Sequence, residues 1–125
     1  ASAVQIGSRF VASNEASSHN NFKHAILESA EGDTILSLKK LTPVRLLKNE
    51  FYNMVAIAEH DCESVENLKN LLGSGRAKKG MFEGDLIEGE LEIGQVSALI
   101  DEIKPAGAIV EEIWTEYLQL LQQIK

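Results

Sequence analysis

Two glycine-bearing stretches hold the residues whose types and spacing could do chemistry. In the first, the apolar run Ala3-Val-Gln-Ile6 stops at Gly7-Ser8, and a polar, helix-friendly run follows from Ser13. That is how a buried strand delivers its last residues into a tight turn before a helix. Gly7 can take positive φ and lets another group approach the backbone closely. Such a turn presents N–H groups where an anion could sit. The plainer alternative is a strand that ends at a structural glycine. The second stretch runs from Gly80 to Gln95, with glycines 80, 84, 89 and 94 among interleaved charges. That composition makes a loop, and a loop this long in a compact domain tends to be functional.

Other reactive types are less promising. Arg76-Ala-Lys-Lys79 is a basic cluster in an acidic chain. It suggests an anion site, although a solvated helix turn is the commoner use of such a cluster. His19 and His24 have no second ligand type at metal spacing, so both read as surface or helix-end histidines and no metal is expected. Cys62 is the single cysteine, which excludes a disulfide framework and makes a reducing cytoplasm the natural compartment. The net charge of -7 argues against nonspecific nucleic-acid or anionic-membrane binding. No apolar run approaches the roughly 20 residues of a membrane span. The start lacks the basic n-region of a signal peptide. It also lacks Met, and the chain reads as a piece of a longer protein. A chain of 125 residues, 44% hydrophobic and 25% charged, suits a single globular segment with a real core.

The elements that must position these residues follow from periodicity. Ala3 to Ile6 reads as a strand. Ser13 is a plausible N-cap for a short turn through Glu15 and Ser18. Asn20 or Asn21 could cap the next helix, which places Phe22, Ala25, Ile26 and Ser29 on one face and ends at Gly32. Thr34 to Leu38 alternates enough for a short strand. Pro43 is placed as the first residue of a helix, which puts Arg45 and Asn49 on one face. There they could meet an active-site rim, or hold the segment by a salt bridge and a cap; the second use is favoured. Leu46, Leu47, Phe51, Met54, Val55 and Ala58 form an apolar stripe to about His60. Asp61-Cys-Glu-Ser starts another helix, with Val65, Leu68, Leu71 and Leu72 inward, and Gly73-Ser-Gly75 stops it. Gln95 to Glu102 reads as helical. Pro105 opens a last helix, striped by Ile109, Ile113, Tyr117, Leu120 and Ile124 with Val110, Trp114 and Leu121 alongside. The expected fold is mainly α with one or two short strands.

Val4-Gln-Ile-Gly-Ser-Arg-Phe-Val-Ala-Ser-Asn-Glu15, with His19 and Phe22-Lys23 after it, resembles the last barrel strand of the nitronate monooxygenase family. That family was formerly called 2-nitropropane dioxygenase, and flavin-type enoyl-acyl-carrier-protein reductases are its close relatives. Ser8 stands where the family's Gly-Thr-Arg-Phe has Thr, which keeps the hydroxyl. Pro43-Val-Arg-Leu-Leu-Lys-Asn49 is similar to a family Pro-x-Arg-x-x-x-Asn segment. The stretch from Gly80 to Gln95 is similar to one that returns to the mouth of the barrel. The resemblance implies the C-terminal segment of an FMN-binding (β/α)8 TIM barrel, too short to close a barrel by itself, since a whole one takes about 250 residues.

By the same resemblance Gly7 and Ser8 give backbone N–H groups to the FMN phosphate, and Gly94 and Gln95 face the cofactor. Gln95 could equally cap the helix that follows it. Arg9 would point to a carboxylate elsewhere in the barrel wall. The family's catalytic histidine belongs to an earlier segment, and neither His19, His24 nor His60 sits in its context, so no catalytic residue is assigned. The Gly-Gly turn after the seventh strand is also lacking, which leaves half of a barrel phosphate site. The implied activity is that of an FMN-dependent oxidoreductase acting on a small-molecule substrate. Nitronate monooxygenase comes first, with oxidation of nitronates by O2, and enoyl-acyl-carrier-protein reductase is the alternative. A reading of another class is a noncatalytic helical interaction module. The isolated chain is expected to be inactive, to bind FMN weakly or not at all, and to self-associate.

Overall fold

Phe22 and Ile26 lie four residues apart and are both fully buried, which turns one face of helix α2 (Asn20–Glu28) inward. The computed structural model describes residues 2–124. Helix α1 (Ser8–Val11) is a single turn ahead of α2. A hairpin follows, β1 (Thr34–Ser37) antiparallel to β2 (Val44–Leu47), with Thr34 opposite Leu47 and Ser37 opposite Val44. Helices α3 (Glu50–His60) and α4 (Val65–Leu72) come next. A π-helical turn (Lys78–Phe82) takes in the first residues of the glycine loop, 80–95, which composition reads as loop throughout, and a 3₁₀ turn (Gln95–Leu99) begins at its end. The long helix α5 (Ala106–Ile124) ends the described chain.

Successive side chains on a strand point to opposite faces, and β2 uses that to serve two cores. Leu47 joins Ala12, Phe22, Ile26, Leu91, Ile93 and Ile100 in one cluster. Leu46 joins Leu38, Phe51 and Val55 in the other. The glycine loop runs along the free edge of β2: Leu47 N–H donates to Leu91 O at 2.8 Å and Ile93 N–H donates to Arg45 O at 3.2 Å.

The helices start where side chains can cap them. Asn49 Oδ1 accepts from Tyr52 N–H at 2.8 Å, and Ser64 accepts from Asn67 N–H at 3.1 Å. The cap of α2 is His19, whose Nδ1 accepts from Asn21 N–H, not Asn20 or Asn21. Ser13 is no cap either. It is buried, and its hydroxyl donates to Phe10 O at 2.8 Å. Helix α2 ends at Ser29, and Gly32 makes a left-handed turn beyond it at φ 88°.

Three further elements differ from the sequence reading. Residues 2–7 are exposed and join no ladder, so Ala3 to Ile6 is not a strand among the described residues. The apolar pattern asks for burial, but a strand exists only by pairing. The segment from Pro43 is β2 and not a helix. Its partners lie in β1 and in the glycine loop, and this non-local pairing overrides the local helical spacing. Arg45 therefore sits in a strand and Asn49 caps a helix, on no common helical face. Gln95 to Glu102 is only a short 3₁₀ turn, which leaves Leu99 81% exposed and Ile100 buried. The mainly helical class with two short strands holds, and the described residues form no closed barrel.

Candidate functional site

The two glycine-bearing stretches meet. Gly94 N–H donates to Ser8 Oγ at 3.1 Å across 86 residues of sequence. A Cβ on Gly94 would stand 2.7 Å from that oxygen, so a side chain here would displace the Ser8 hydroxyl and break the bond. Ser8, Val11, Val44, Arg45, Glu92, Ile93 and Gly94 line an open cleft of about 300 Å³ at this junction. The Ser8 hydroxyl accepts from Gly94, which leaves its own proton free to donate into the cleft.

The other predicted site residues fall around this contact. Gly7 is the N-cap of α1 at φ −114°, so the positive φ expected of it is not used. The space beyond its Cα is open. Its N–H and that of Ser8 have no backbone acceptor among the described residues. Gln95 is exposed, lies outside the cleft lining and makes no side-chain hydrogen bond among the described residues. Arg9 meets no carboxylate there; its guanidinium reaches Ala12 O at 3.4 Å.

Loop 12–18 is held from below by a residue that sequence reasoning passed over. Lys23 is 4% exposed, and its ammonium donates to Ser13 O at 2.6 Å and Ala16 O at 3.0 Å. Ser18 adds a bond to Val11 O at 2.7 Å. The Lys23 bonds fix the loop that follows α1, and the Ser18 bond takes up a carbonyl in the last turn of α1 itself. The signal was present in the Phe22-Lys23 pair, but a lysine on a helix reads as solvated until its partners are known.

The glycine loop is fastened by polar clamps. Asn49 Nδ2 donates to Leu86 O at 3.0 Å and to Gly89 O at 2.8 Å. A Cβ on Gly84 would run into the His19 ring, and one on Gly80 would lie 2.7 Å from Glu90 O. The basic cluster is spent on this framework and forms no anion seat. Arg76 Nε donates to Leu72 O at 2.9 Å and its guanidinium lies 4.6 Å from the Phe51 ring centre. Lys79 pairs with Glu88 and Asp85, and Glu88 first, then Asp85, hold its pKa above the ordinary lysine value. Bonds from the Glu88 and Ile87 N–H groups hold the Asp85 carboxyl below its ordinary value. Glu90 is 7% exposed; burial, and then the Glu92 charge, push its carboxyl upward against the pull of Arg76.

The sequence matches the nitronate monooxygenase family model over residues 1–116. The chain belongs to that family. It is 30% identical over 116 residues to a probable nitronate monooxygenase of Staphylococcus saprophyticus, a match that takes in 90% of this chain and 32% of the relative. FabK from Thermotoga maritima superposes with a TM-score of 0.88 at 34% identity, over 98% of this chain and 39% of that one. Its M276A mutant gives 0.80 at 31% identity, over 99% and 37%. The chain thus spans about a third of the length of these relatives. Among the described residues no helix is long and apolar enough to cross a membrane.

Proposed function

We propose that this chain supplies one wall of the phosphate end of an FMN site in an oxidoreductase of the nitronate monooxygenase type. In this reading it is the C-terminal segment of a (β/α)8 barrel. The observation that carries the proposal is the Ser8–Gly94 hydrogen bond, which brings the two resembling motifs to one cleft. The donor set suits a phosphate. The N–H groups of Gly7 and Ser8 lack backbone acceptors among the described residues, the Ser8 proton is free, and nothing stands over Gly7. Gln95 would meet the cofactor from the next turn, where its exposed amide can both donate and accept.

When bound, FMN would supply the redox chemistry on the small-molecule substrate. The residues of this chain bind and orient. Gly7 leaves room for an anion, Ser8 donates to it, and Gly94 holds the Ser8 oxygen in place. No residue here is assigned to proton abstraction. The reaction proposed is oxidation of nitronates with O2, in keeping with the matched family.

The test grafts this chain onto the Thermotoga maritima FabK chain in place of the matching segment. Such a chimera should purify with FMN, and Gly7→Val should release it while the fold is kept. Gly7 has negative φ and open space, so valine costs the backbone little and only fills the anion's approach. Unchanged flavin content in the Gly7→Val chimera would sink the assignment.

A further inference from the structure

Arg45 is the cation of the cleft, and the reading above gives it no task. Its Nη1 donates to Thr34 O at 3.0 Å, with a longer contact to the Thr34 hydroxyl at 3.4 Å. Among the described residues no carboxylate stands within ion-pair distance of it. A guanidinium carries five N–H donors in a rigid fork. Its Nε and Nη2 hydrogens therefore have no protein acceptor among the described residues. Half-buried cations are ordinarily paired, because desolvating a charge is costly.

The backbone of Arg45 is tied to the turn that carries Ser8. Ile93 N–H donates to Arg45 O, and the next amide, Gly94 N–H, donates to Ser8 Oγ. Two successive amides thus tie the strand that carries Arg45 to the turn that carries Ser8. Both residues line the same cleft.

We infer that Arg45 and the Ser8 hydroxyl together seat a phosphate monoester in this cleft, and that the monoester is the FMN phosphate, which makes this step rest on the flavin reading above. The match is chemical. An arginine fork presents parallel N–H donors at the spacing of two phosphate oxygens, and the Ser8 hydroxyl serves a third. Glu92 lines the cleft as well and opposes an anion there. It therefore gives the test a second variant of opposite sign.

The 125-residue chain is titrated with FMN, riboflavin and inorganic phosphate, and binding is read from the Ser8 and Gly94 amide resonances. The wild-type chain should bind FMN weakly but better than riboflavin, which lacks the phosphate. Arg45→Met should weaken FMN and inorganic phosphate by roughly tenfold or more, the loss of one charge-assisted contact, and leave riboflavin unchanged. Arg45→Lys, which keeps the charge and loses the fork, should fall between. Glu92→Gln should tighten FMN and phosphate. Amide dispersion reports whether each variant folds, and if Arg45→Met does not, Arg45→Lys and Glu92→Gln decide. Wild-type affinity for FMN and phosphate in the arginine variants overturns the inference, while a wild-type preference for FMN over riboflavin leaves the flavin reading standing. Equal binding of FMN and riboflavin with no response to phosphate also overturns it. A wild type that responds to phosphate and to neither flavin overturns the assignment of the seat to FMN and moves it to a monoester from another source. A wild type that binds none of the three overturns the inference, and the flavin reading is then decided by the flavin content of the chimera.

Discussion

A methyl group on Gly94 would sit 2.7 Å from Ser8 Oγ and 3.8 Å from Ser8 Cβ, so alanine there has to push that oxygen aside. Gly94→Ala should cost about 1–3 kcal/mol through overpacking. Ser8→Ala removes the acceptor of the Gly94 N–H and should cost about 0.5–1.5 kcal/mol. In the double variant the added methyl meets only an ordinary contact at 3.8 Å, and the backbone at φ −70° accepts alanine. The two losses should therefore fall short of their sum by about 1 kcal/mol or more. Urea unfolding of the four proteins checks this, and strict additivity would show that the two loops do not touch. Glu90 gives the residue scale a pH signature. Its folded pKa lies above the ordinary 4.5, so the native state holds the proton over a window that opens near that value and extends upward. There the native state binds more protons than the unfolded chain, and stability falls as pH rises. Glu90→Gln should be more stable than wild type above the window, and the advantage should shrink as the pH drops through it. A constant difference between the two proteins from pH 4 to pH 7 (about the span such shifts cover) would contradict the burial argument.

Helix α2 does more than bury Phe22 and Ile26, because Lys23 between them pins the loop that follows α1. Lys23→Met keeps the stem and removes the ammonium, leaving the carbonyls of Ser13 and Ala16 without their donor. The cost should be about 1–3 kcal/mol, with faster amide exchange concentrated in residues 12–18. Loss of stability without a local change in exchange would place the effect elsewhere. The same neighbourhood shows what was legible in the chain. Helix α3 could be read to its end near His60 because Phe51 and Val55 are four apart, which is local information, but its start could not, since the local spacing carries the helix back to Pro43 and past its true cap at Asn49. Strand β2 could not. Pro43 and the spacing of Arg45 and Asn49 fit a helix, and what makes this segment a strand is β1 on one edge and Leu91–Ile93 on the other. Residues 3–6 fail the opposite way, with a buried-strand pattern and no ladder partner among the described residues. Gly7, Ser8 and Gly94 could each be picked out by type and resemblance, but not the contact between them, which spans 86 residues. The membership of Arg45 in the cleft follows from that same closure and was equally hidden.

The whole molecule leaves one large surface unsettled. Helix α5 buries only Ile109, while Trp114 is 59% exposed, Tyr117 49% and Leu120 56%. Val4 and Ile6 on the extended segment face α5 across an apolar groove of about 620 Å³, with the Trp114 and Tyr117 rings 5.3 Å apart along its wall. Each such side chain left in water forgoes roughly 1.5–3 kcal/mol relative to burial, and monomers rarely carry an apolar face of this extent. The 125-residue chain on its own should therefore associate with a second copy through α5 and residues 2–7. Glu111 and Glu116 lie on the same helix, while Glu112 is paired with Lys104, so the first two repel between copies and association should strengthen as salt screens them. Sedimentation should show a concentration-dependent dimer, Trp114 emission should shift to the blue as it forms, and Trp114→Glu should return the chain to monomer. FMN, with only one wall of its phosphate end present, should stay weakly bound. A monomer at all concentrations that carries stoichiometric yellow flavin would refute both halves, because it would mean that the groove needs no cover and that the cleft at Ser8 is a complete site.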